Sequence, residues 1–321
     1  MESSTVPKVS VIIPLYNKAP YIKRALDSVL AQTVQDFEIV VVGGNSTDGG
    51  EDIVLGYSDS RIRFVKEAGK GVSAARNQGV DAARAELVAF LDADDEWLPE
   101  FLETVLSLWL KYPQAGLYTT SWSSSTKGVL RDRKYYGIDE DFEGIISPIF
   151  IHAALADGAT FPGITSSTML PKNIFLNLGG FREDCCASED IDLWARISLY
   201  YQNAHSQRHL VIYYQDDQFS LVKNTVAYLG THPFERSLVE MSESGVLHPK
   251  DYTKELIIYI NSLNIIHANN WLSVGNKTVA IKYLINVRYL CLFKKTVSPW
   301  IRILIPSFLL PYARKIYLRI K

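Results

Sequence analysis

The chain has 321 residues, 47% of them hydrophobic and 21% charged, with a net charge of −2, which is typical of a globular protein of one large or two smaller domains. Three cysteines, two of them adjacent at Cys185 and Cys186, exclude a disulfide framework and favour a reducing compartment. Residues 1–8 lack the basic and apolar blocks of a signal peptide, and no window reaches about 18 uninterrupted apolar residues. We therefore expect neither a secretory leader nor a membrane-spanning helix.

Strands and helices alternate over roughly the first 120 residues. Apolar, β-rich runs predict strands at 8–13, 37–42, 61–65, 86–91 and 116–122. Apolar residues at helical spacing predict helices at 20–32, about 48–57, 72–84 and 99–111. This βαβ rhythm predicts an α/β fold of Rossmann-like type, with a mostly parallel central sheet and helices on both faces.

The rest of the first 220 residues is less uniform. The segment 123–163 is irregular, and we expect it to form a lid or an insertion that faces an acceptor. Beyond it, periodicity predicts a strand at 166–170, helices at 171–178 and 189–201, and a strand at 209–214.

The last hundred residues differ from the others in charge. After Glu255 there is no Asp or Glu in 66 residues, which carry ten Lys and Arg. Helices are predicted at about 252–272, at about 277–293 and from Ser298. Apolar and basic residues without carboxylates are typical of a segment that lies on an anionic membrane surface; the alternative is a helical cap with solvated lysines. The chain is thus expected to divide into a sheet domain, 1–220, and a basic C-terminal helical region, 221–321.

Three carboxylates follow the fourth predicted strand within four residues: Asp92, Asp94 and Asp95. Like charges so close repel one another unless a positive charge lies among them, and a hard divalent cation, Mg²⁺ or Mn²⁺, is the simplest remedy. Ligands of open α/β sheets bind at the carboxyl ends of strands, where these acids lie. The cluster therefore predicts a metal site that bridges the protein to a diphosphate. The alternative is an ordinary helix start, with the acids at the cap and Pro99 near its first position.

Seven motifs along the first two thirds of the chain share their order and spacing with one family. They are 9–17, 37–42, 46–49, 71–77, 92–95, 179–181 and 188–196. Together they resemble glycosyltransferase family 2 over about Val9 to Tyr214. The resemblance implies a GT-A fold for 1–220, a DXD-type metal motif, and an inverting enzyme that uses a nucleotide-diphosphate sugar.

The resemblance also implies roles for the acids of the 92–95 motif. Asp94 is expected to be the first metal ligand, and Asp92 to contact the ribose or a metal-bound water. Asp95 is expected to be a further ligand, an orienting group or a helix cap.

A second acidic motif is implied to act on the acceptor. Asp190 is expected to be the base that removes the proton of the incoming hydroxyl, and Glu189 to orient it or to hold an acceptor hydroxyl. The alternative is that Ser188 caps a helix and that the acids only suit its dipole.

Nucleotide contacts are expected at the ends of the first strands and of the third helix, from Pro14, Tyr16, Asn17, Asn45, Asp48, Arg76, Asp92 and Ala93. Arg76 could meet a phosphate or the base, or pair with a surface acid. Members of the family usually carry an Asp pair after the second strand, and here Gly43 and Gly44 replace it. Base recognition is therefore expected from other atoms, with UDP ranked first and GDP or dTDP as alternatives.

Together with the acidic motifs, the resemblance implies a metal-dependent glycosyltransferase of polysaccharide biosynthesis. It would act on a glycan or lipid-linked glycan at the cytoplasmic face of the membrane, with no nucleic-acid partner. The glycine replacements motivate an alternative, a catalytically weakened relative that binds nucleotide or glycan and scaffolds a partner transferase. A nucleotidyltransferase would carry a glycine- and lysine-rich phosphate loop after the first strand, and residues 14–19 contain no glycine.

Overall fold

The computed structural model describes residues 6–133, 139–146, 163–185, 187–215, 232–248, 250 and 252–285. The chain forms two compact units. The first comprises Met1–Ile151 and Ala159–Lys223, and the second His152–Gly158 and Asn224–Lys321. The expected functional division of the chain at residue 220 stays a prediction.

The described part of the first unit alternates strands with helices, which confirms the predicted α/β fold class. Its strands are β1 Val9–Pro14, β2 Phe37–Gly43, β3 Ile62–Lys66, β4 Leu87–Phe90, β5 Glu96–Trp97, β6 Ala115–Thr126, β7 Val129–Asp132, β8 Glu143–Ile146, β9 Thr168–Pro171 and β10 Gln202–Tyr214. Its helices are α1 Ala19–Leu30, α2 Gly50–Leu55, α3 Val72–Ala82, α4 Phe101–Lys111, α5 Lys172–Asn177 and α6 Glu189–Ser198, with a 3₁₀ turn at Thr165–Ser167.

All the described strands belong to one sheet. The order is β3-β2-β1-β4-β9-β6-β10-β5, with β7 paired to β6 and β8 to β10. Strands β3, β2, β1 and β4 pair in parallel, so their carboxyl ends share one edge. Val9, Val11, Ile12 and Ile13 of β1 are fully buried, as expected for a parallel strand covered on both faces. The acids that follow β4 therefore lie at the edge that also ends β1 and β2.

The second half of the sheet departs from the simple βαβ order. Strand β9 lies antiparallel between β4 and β6, so a strand late in sequence separates two early ones. The short strand β5, which the sequence pattern did not indicate, pairs antiparallel with β10. The segment 123–163 was expected to be irregular, but its described parts include the end of β6 and all of β7 and β8. Short strands without alternating polarity leave little periodic signal, which explains the difference.

Helix α3 packs closely against the sheet. A Cβ atom on Gly79 would lie 2.4 Å from Ile12 Cγ2 of β1, so only glycine allows the helix to approach this near. Arg76 lies one turn before Gly79, on the same face of the helix. The close packing therefore fixes the height of Arg76 over the sheet edge.

The described part of the second unit contains three helices, α7 Pro233–Glu243, α8 Lys254–Ser273 and α9 Lys277–Ile285. Helix α8 begins at a cap where Thr253 Oγ1 accepts a hydrogen bond from the Leu256 amide at 3.2 Å. It packs on α9 through an apolar cluster of Ile265, Ala268, Leu272, Ala280 and Leu284. The two first predicted tail helices are thus present, whereas residues beyond 285, including the helix expected from Ser298, lie outside the described residues. Over the described ranges, no helix has the length and apolar character needed to cross a membrane.

Candidate active site

The three acids after β4 form a tight turn at the carboxyl edge of the sheet. The Asp95 amide donates to the Asp92 carbonyl at 3.0 Å and closes the turn. The following helix, α4, begins only at Phe101, and its cap residue Glu100 makes no side-chain cap hydrogen bond. The alternative of a simple helix cap is therefore wrong for this cluster.

Asp95 is held inside the protein. Its side chain is 1% exposed, Ser166 Oγ donates to Oδ2, and the Tyr214 amide donates to Oδ1 at 3.3 Å. Burial and the nearby charges of Asp94 and Asp92 raise the pKa of Asp95 well above its usual value. Both carboxylate oxygens are already engaged, so this geometry favours the orienting role for Asp95 over direct metal ligation.

Ser166 links this turn to the middle of the sheet, and the sequence reasoning did not find it. Its hydroxyl donates to Asp95 and accepts from the Asp92 amide at 3.1 Å. Its carbonyl accepts from the Trp97 indole at 2.6 Å. Ser166 belongs to the 3₁₀ turn before β9, which reaches the acids because β9 is the neighbour of β4.

Asp94 contacts a lysine. Lys18 Nζ lies 2.7 Å from Asp94 Oδ2, and each of the two side chains is 17% exposed. Arg24 donates to the Asp94 carbonyl. Burial and the charge of Asp92 raise the pKa of the Asp94 carboxyl, and the ammonium of Lys18 only partly offsets them.

Arg76 joins the two acidic motifs. Its guanidinium is 3% exposed, with Nη2 at 2.6 Å from Asp92 Oδ1 and Nη1 at 2.8 Å from Glu189 Oε1. Burial alone would lower the pKa of Arg76, and the charges of Asp92 and Glu189 outweigh it and raise the pKa. The sequence suggested a phosphate, a base or a surface acid as its partner. In the structure the planar fork of the arginine spans two partly buried carboxylates, a geometry that a lysine cannot reproduce, and its contact with a nucleotide stays a prediction.

Helix α6 begins with a cluster of acids in its first turn. Ser188 occupies the cap position in a left-handed conformation, φ 62°, and its side chain makes no cap hydrogen bond. Asp190 Oδ2 accepts from Thr165 Oγ1 at 3.1 Å, and Oδ1 accepts from the Ile191 amide at 2.8 Å. Ser188 thus occupies the N-cap without a side-chain cap, the acids lie in the first turn as the dipole alternative expects, and the role of Asp190 as a base stays a prediction.

The pKa of Asp190 is suited to proton transfer. Burial and the charge of Glu189 raise it to about 6, although Arg76 acts in the opposite direction. A carboxylate with this pKa is ionised at neutral pH and is a better base than an exposed aspartate.

Two residues expected to contact the nucleotide form hydrogen bonds that hold neighbouring loops in the structure. Asn17 adopts the left-handed region, φ 51°, and its Oδ1 accepts from the Thr47 amide at 2.9 Å. Asp48 Oδ2 accepts from the Ala19 amide at 2.7 Å, and Oδ1 accepts from the Gly50 amide at 3.1 Å. These bonds tie the loop after β1 to the loop after β2.

The other expected nucleotide contacts differ in accessibility. Pro14 ends β1, and the Tyr16 ring beyond it is 62% exposed. Asn45 donates from Nδ2 to Glu67 Oε2 at 2.8 Å on the surface. Ala93 is 2% exposed, so the structure offers little of its surface to a ligand.

The two glycines after β2 lie in confined positions. A Cβ atom on Gly43 would lie 3.0 Å from the Leu15 carbonyl oxygen, and Gly44 has φ +139°. A side chain at either position would require the neighbouring loop to move or the backbone to be strained. Base recognition by atoms other than side chains at these two positions stays a prediction.

Asp92 and Asp94 supply carboxylate oxygens, which are the type of ligand that Mg²⁺ and Mn²⁺ prefer. Within the described residues, no group of three His, Cys, Asp or Glu is arranged to hold a metal. The charge of Asp92 raises the pKa of Asp94, and Lys18 Nζ lies 2.7 Å from Asp94 Oδ2. Magnesium-type ions commonly rest on one or two carboxylates and complete their shell with substrate phosphates and water, so this donor set fits such an ion.

Comparison with known sequences identifies relatives for the first half of the chain. The sequence model described as "Glycosyl transferase family 2" matches residues 10–162. An uncharacterized glycosyltransferase of Nostoc sp. is 44% identical over 104 residues, which are 32% of this chain and 32% of that protein. The matched segment therefore spans about a third of the relative's length.

Solved structures of similar fold extend the likeness to most of the chain. Staphylococcus aureus TarS in complex with UDP-GlcNAc has a TM-score of 0.68 at 18% identity, over 88% of this chain and 82% of that one. The mannosyltransferase PcManGT from Pyrobaculum calidifontis, in complex with GDP-Man and Mn²⁺, has a TM-score of 0.50 at 20% identity, over 88% of this chain and 75% of that one. At these identities the likeness is one of fold.

Replacing Arg76 should weaken the whole site. Arg76→Met leaves Asp92 and Glu189 without their shared partner, and we expect a loss of about 3 kcal/mol in the free energy of unfolding. Urea denaturation measures it. The matched control is Arg84→Met, because Arg84 is 52% exposed and its partner Glu38 keeps Arg63 and Ser10. A loss at position 76 no larger than at position 84 would contradict the bridging role.

Proposed function

We infer that this chain, which carries a glycosyl transferase family 2 domain in residues 10–162, is a glycosyltransferase that moves a sugar from a nucleotide-diphosphate donor to a hydroxyl of a glycan. The observation that carries this inference is the Arg76 guanidinium, which links the acidic turn at Asp92 to the acidic pair at Glu189. Two acidic groups with different surroundings at one edge of a sheet suit a reaction that stabilises a leaving diphosphate on one side and removes a proton on the other.

The acidic turn is the donor side of the proposed site. A Mg²⁺ or Mn²⁺ ion held by Asp94 and Asp92 would neutralise the negative charge that grows on the leaving diphosphate. Asp95 orients the turn through Ser166 and the Tyr214 amide. The presence of Mn²⁺ in the PcManGT complex supports this assignment by analogy of fold.

The acidic pair on α6 is the acceptor side. The acceptor oxygen forms a bond to the anomeric carbon while the proton of the acceptor hydroxyl passes to Asp190. At the same time the bond between that carbon and the diphosphate oxygen breaks, and the leaving diphosphate keeps the electron pair. Attack opposite the leaving group inverts the anomeric centre. Thr165 holds the Asp190 carboxylate, and Arg76 holds Glu189 beside it, where Glu189 orients the base or binds an acceptor hydroxyl.

The donor is proposed to be a UDP sugar, with GDP and dTDP sugars as alternatives. TarS was solved with UDP-GlcNAc and has the higher TM-score of the two structures above. PcManGT was solved with GDP-Man. The exposed Tyr16 ring is available to stack on the base, and Asn45 lies beyond the glycines that replace the usual acids. Asn17 and Asp48 shape this loop pair from within.

The basic C-terminal region is proposed to hold the enzyme at the cytoplasmic face of the membrane, near a lipid-linked acceptor. Within the described tail, Lys277 and Lys282 lie on α9, and the remaining tail bases lie outside the described residues. The full chain should co-sediment with phosphatidylglycerol vesicles at low salt, because the basic groups contact anionic lipid. About 1 M NaCl should release it, because the Debye length is then only about 3 Å and the attraction is screened. Equal binding to phosphatidylcholine vesicles would contradict the electrostatic assignment.

A donor panel tests the proposed activity. Wild type and Asp94→Asn are mixed with UDP, GDP and dTDP sugars and Mn²⁺, with EDTA as the control, and release of the nucleoside diphosphate is measured. We expect turnover with one nucleotide class, lost with EDTA and in Asp94→Asn. Tight nucleotide binding without turnover of any donor would favour the scaffold alternative. If neither nucleotide binding nor turnover is detected, both functions are rejected.

The pKa of Asp190 predicts how activity and stability depend on pH. The wild-type kcat should rise about tenfold per pH unit up to pH about 6 and then level off, because only the ionised carboxylate accepts the proton. Asp190→Asn should lower kcat by about a thousandfold or more while nucleotide binding stays.

The same variant should be more stable at neutral pH. The folded pKa of about 6 lies above the usual 3.8, so between these values the folded protein binds more protons than the unfolded chain. Stability from this group is present below pH 3.8 and is lost as pH rises through 6. Asp190→Asn should therefore raise the free energy of unfolding at pH 7.5 by up to about 3 kcal/mol and leave it unchanged near pH 4. The control is Asp52→Asn, on the exposed face of α2.

A kcat near the wild-type value in Asp190→Asn would contradict the role of Asp190 as the base.

A further inference from the structure

The proposed reaction assigns no role to one lysine that contacts the acidic turn. Lys18 Nζ lies 2.7 Å from Asp94 Oδ2, the carboxylate assigned above as the first metal ligand. The other two cations are engaged elsewhere: Arg76 spans Asp92 and Glu189, and Arg24 donates to the Asp94 carbonyl. Lys18 is therefore, among the described residues, the cation that lies against the Asp94 carboxylate.

The backbone at Lys18 is fixed on both sides. Asn17 adopts the left-handed conformation and is bonded to the amide of Thr47, and the Ala19 amide is bonded to Asp48. Lys18 itself is the cap residue of α1. The backbone from which Lys18 reaches Asp94 is thus held by these hydrogen bonds, while its four-carbon stem has several rotatable bonds through which the ammonium can change position.

We propose that Lys18 competes with the divalent cation for Asp94. Its ammonium neutralises Asp94 while no metal is bound, and it leaves Oδ2 when the metal arrives. The inference rests on the proposed function, which assigns Asp94 as a metal ligand, and it adds a residue that sets metal affinity.

The competition follows from charge and space. Two positive groups cannot share one carboxylate oxygen at contact distance without strong repulsion in a site where each side chain is only 17% exposed. Without Lys18, the Asp94 carboxylate would lose its ion-pair partner at 2.7 Å, while Arg76 stays engaged with Asp92 and Glu189. A lysine at this position therefore keeps the empty site folded and lowers its affinity for metal.

The helix that Lys18 caps offers a matched control. Lys23 Nζ lies 2.6 Å from Asp27 Oδ2, an ion pair of nearly the same length on the same helix. That pair is exposed, at 69% and 48%, and Asp27 is not among the acids of the site. Lys23→Met thus removes one positive charge and one ion pair without touching Asp94.

The test is the affinity for Mn²⁺ alone, measured by electron paramagnetic resonance on the full chain without nucleotide. We expect Lys18→Met to bind Mn²⁺ about tenfold more tightly than wild type, Lys23→Met to bind like wild type, and Lys18→Arg to bind no more tightly than wild type. An unchanged or weaker affinity in Lys18→Met would overturn the proposal.

Thermal unfolding supplies a second readout and verifies that the variants fold. Without metal, Lys18→Met should melt at a lower temperature than wild type, and saturating Mn²⁺ should raise its melting temperature by more than it raises that of wild type. An equal Mn²⁺ shift in both proteins would also overturn the proposal. If Lys18→Met does not fold, Lys18→Gln replaces it, since the glutamine keeps a polar group but not the charge.

The two inferences fail in different ways. Tighter Mn²⁺ binding in Lys18→Met without turnover of any sugar nucleotide would remove the proposed function and keep the competition. Turnover that persists in EDTA, with no Mn²⁺ bound by wild type or variant, would keep the transferase and remove the competition.

Discussion

The site depends on how carboxylates are kept together at one edge of a sheet. Asp92, Asp94 and Asp95 lie in a single turn, and Glu189 and Asp190 begin a helix beside it. Their mutual repulsion is balanced chiefly by one buried guanidinium, Arg76, which reaches both groups. A buried arginine held by two acids is stable only while both remain, so the two halves of the site stay in one arrangement. This is a form of pre-organisation, since the charges are in place before any ligand arrives.

The unequal surroundings of the acids give them different chemical properties. Asp95 is closed in by Ser166 and a backbone amide, Asp94 meets a lysine, and Asp190 is held by a threonine hydroxyl. Burial raises the pKa of all three carboxyls, and Asp190, whose pKa rises to about 6, also lies beside Glu189, which Arg76 holds. The same residue type can therefore orient, bind a cation or accept a proton within one small volume.

Sheet order makes these contacts possible. Strand β9 lies between β4 and β6, which brings the turn Thr165–Ser167 directly beside the acids after β4. Two neighbouring residues of one short turn therefore donate hydrogen bonds to the two acidic motifs, Ser166 to Asp95 and Thr165 to Asp190. The close packing at Gly79 in turn sets Arg76 at the height of that edge. The catalytic proposal thus relies on packing in the sheet as much as on the acidic residues themselves.

The sequence by itself determined the α/β fold class, most elements of the first unit and the presence of two acidic motifs. Apolar periodicity and clustered carboxylates are local properties that can be read within a few residues of the chain. Only the tertiary structure decided that Arg76 pairs with Glu189, 113 residues away, that Ser166 meets Asp95 across 71 residues, and that Lys18 reaches Asp94 across 76. These contacts depend on which strands are neighbours, and β9 takes a place that its order in the chain does not indicate. Side-chain partners across such distances are set by packing, for which a single sequence carries no local signal.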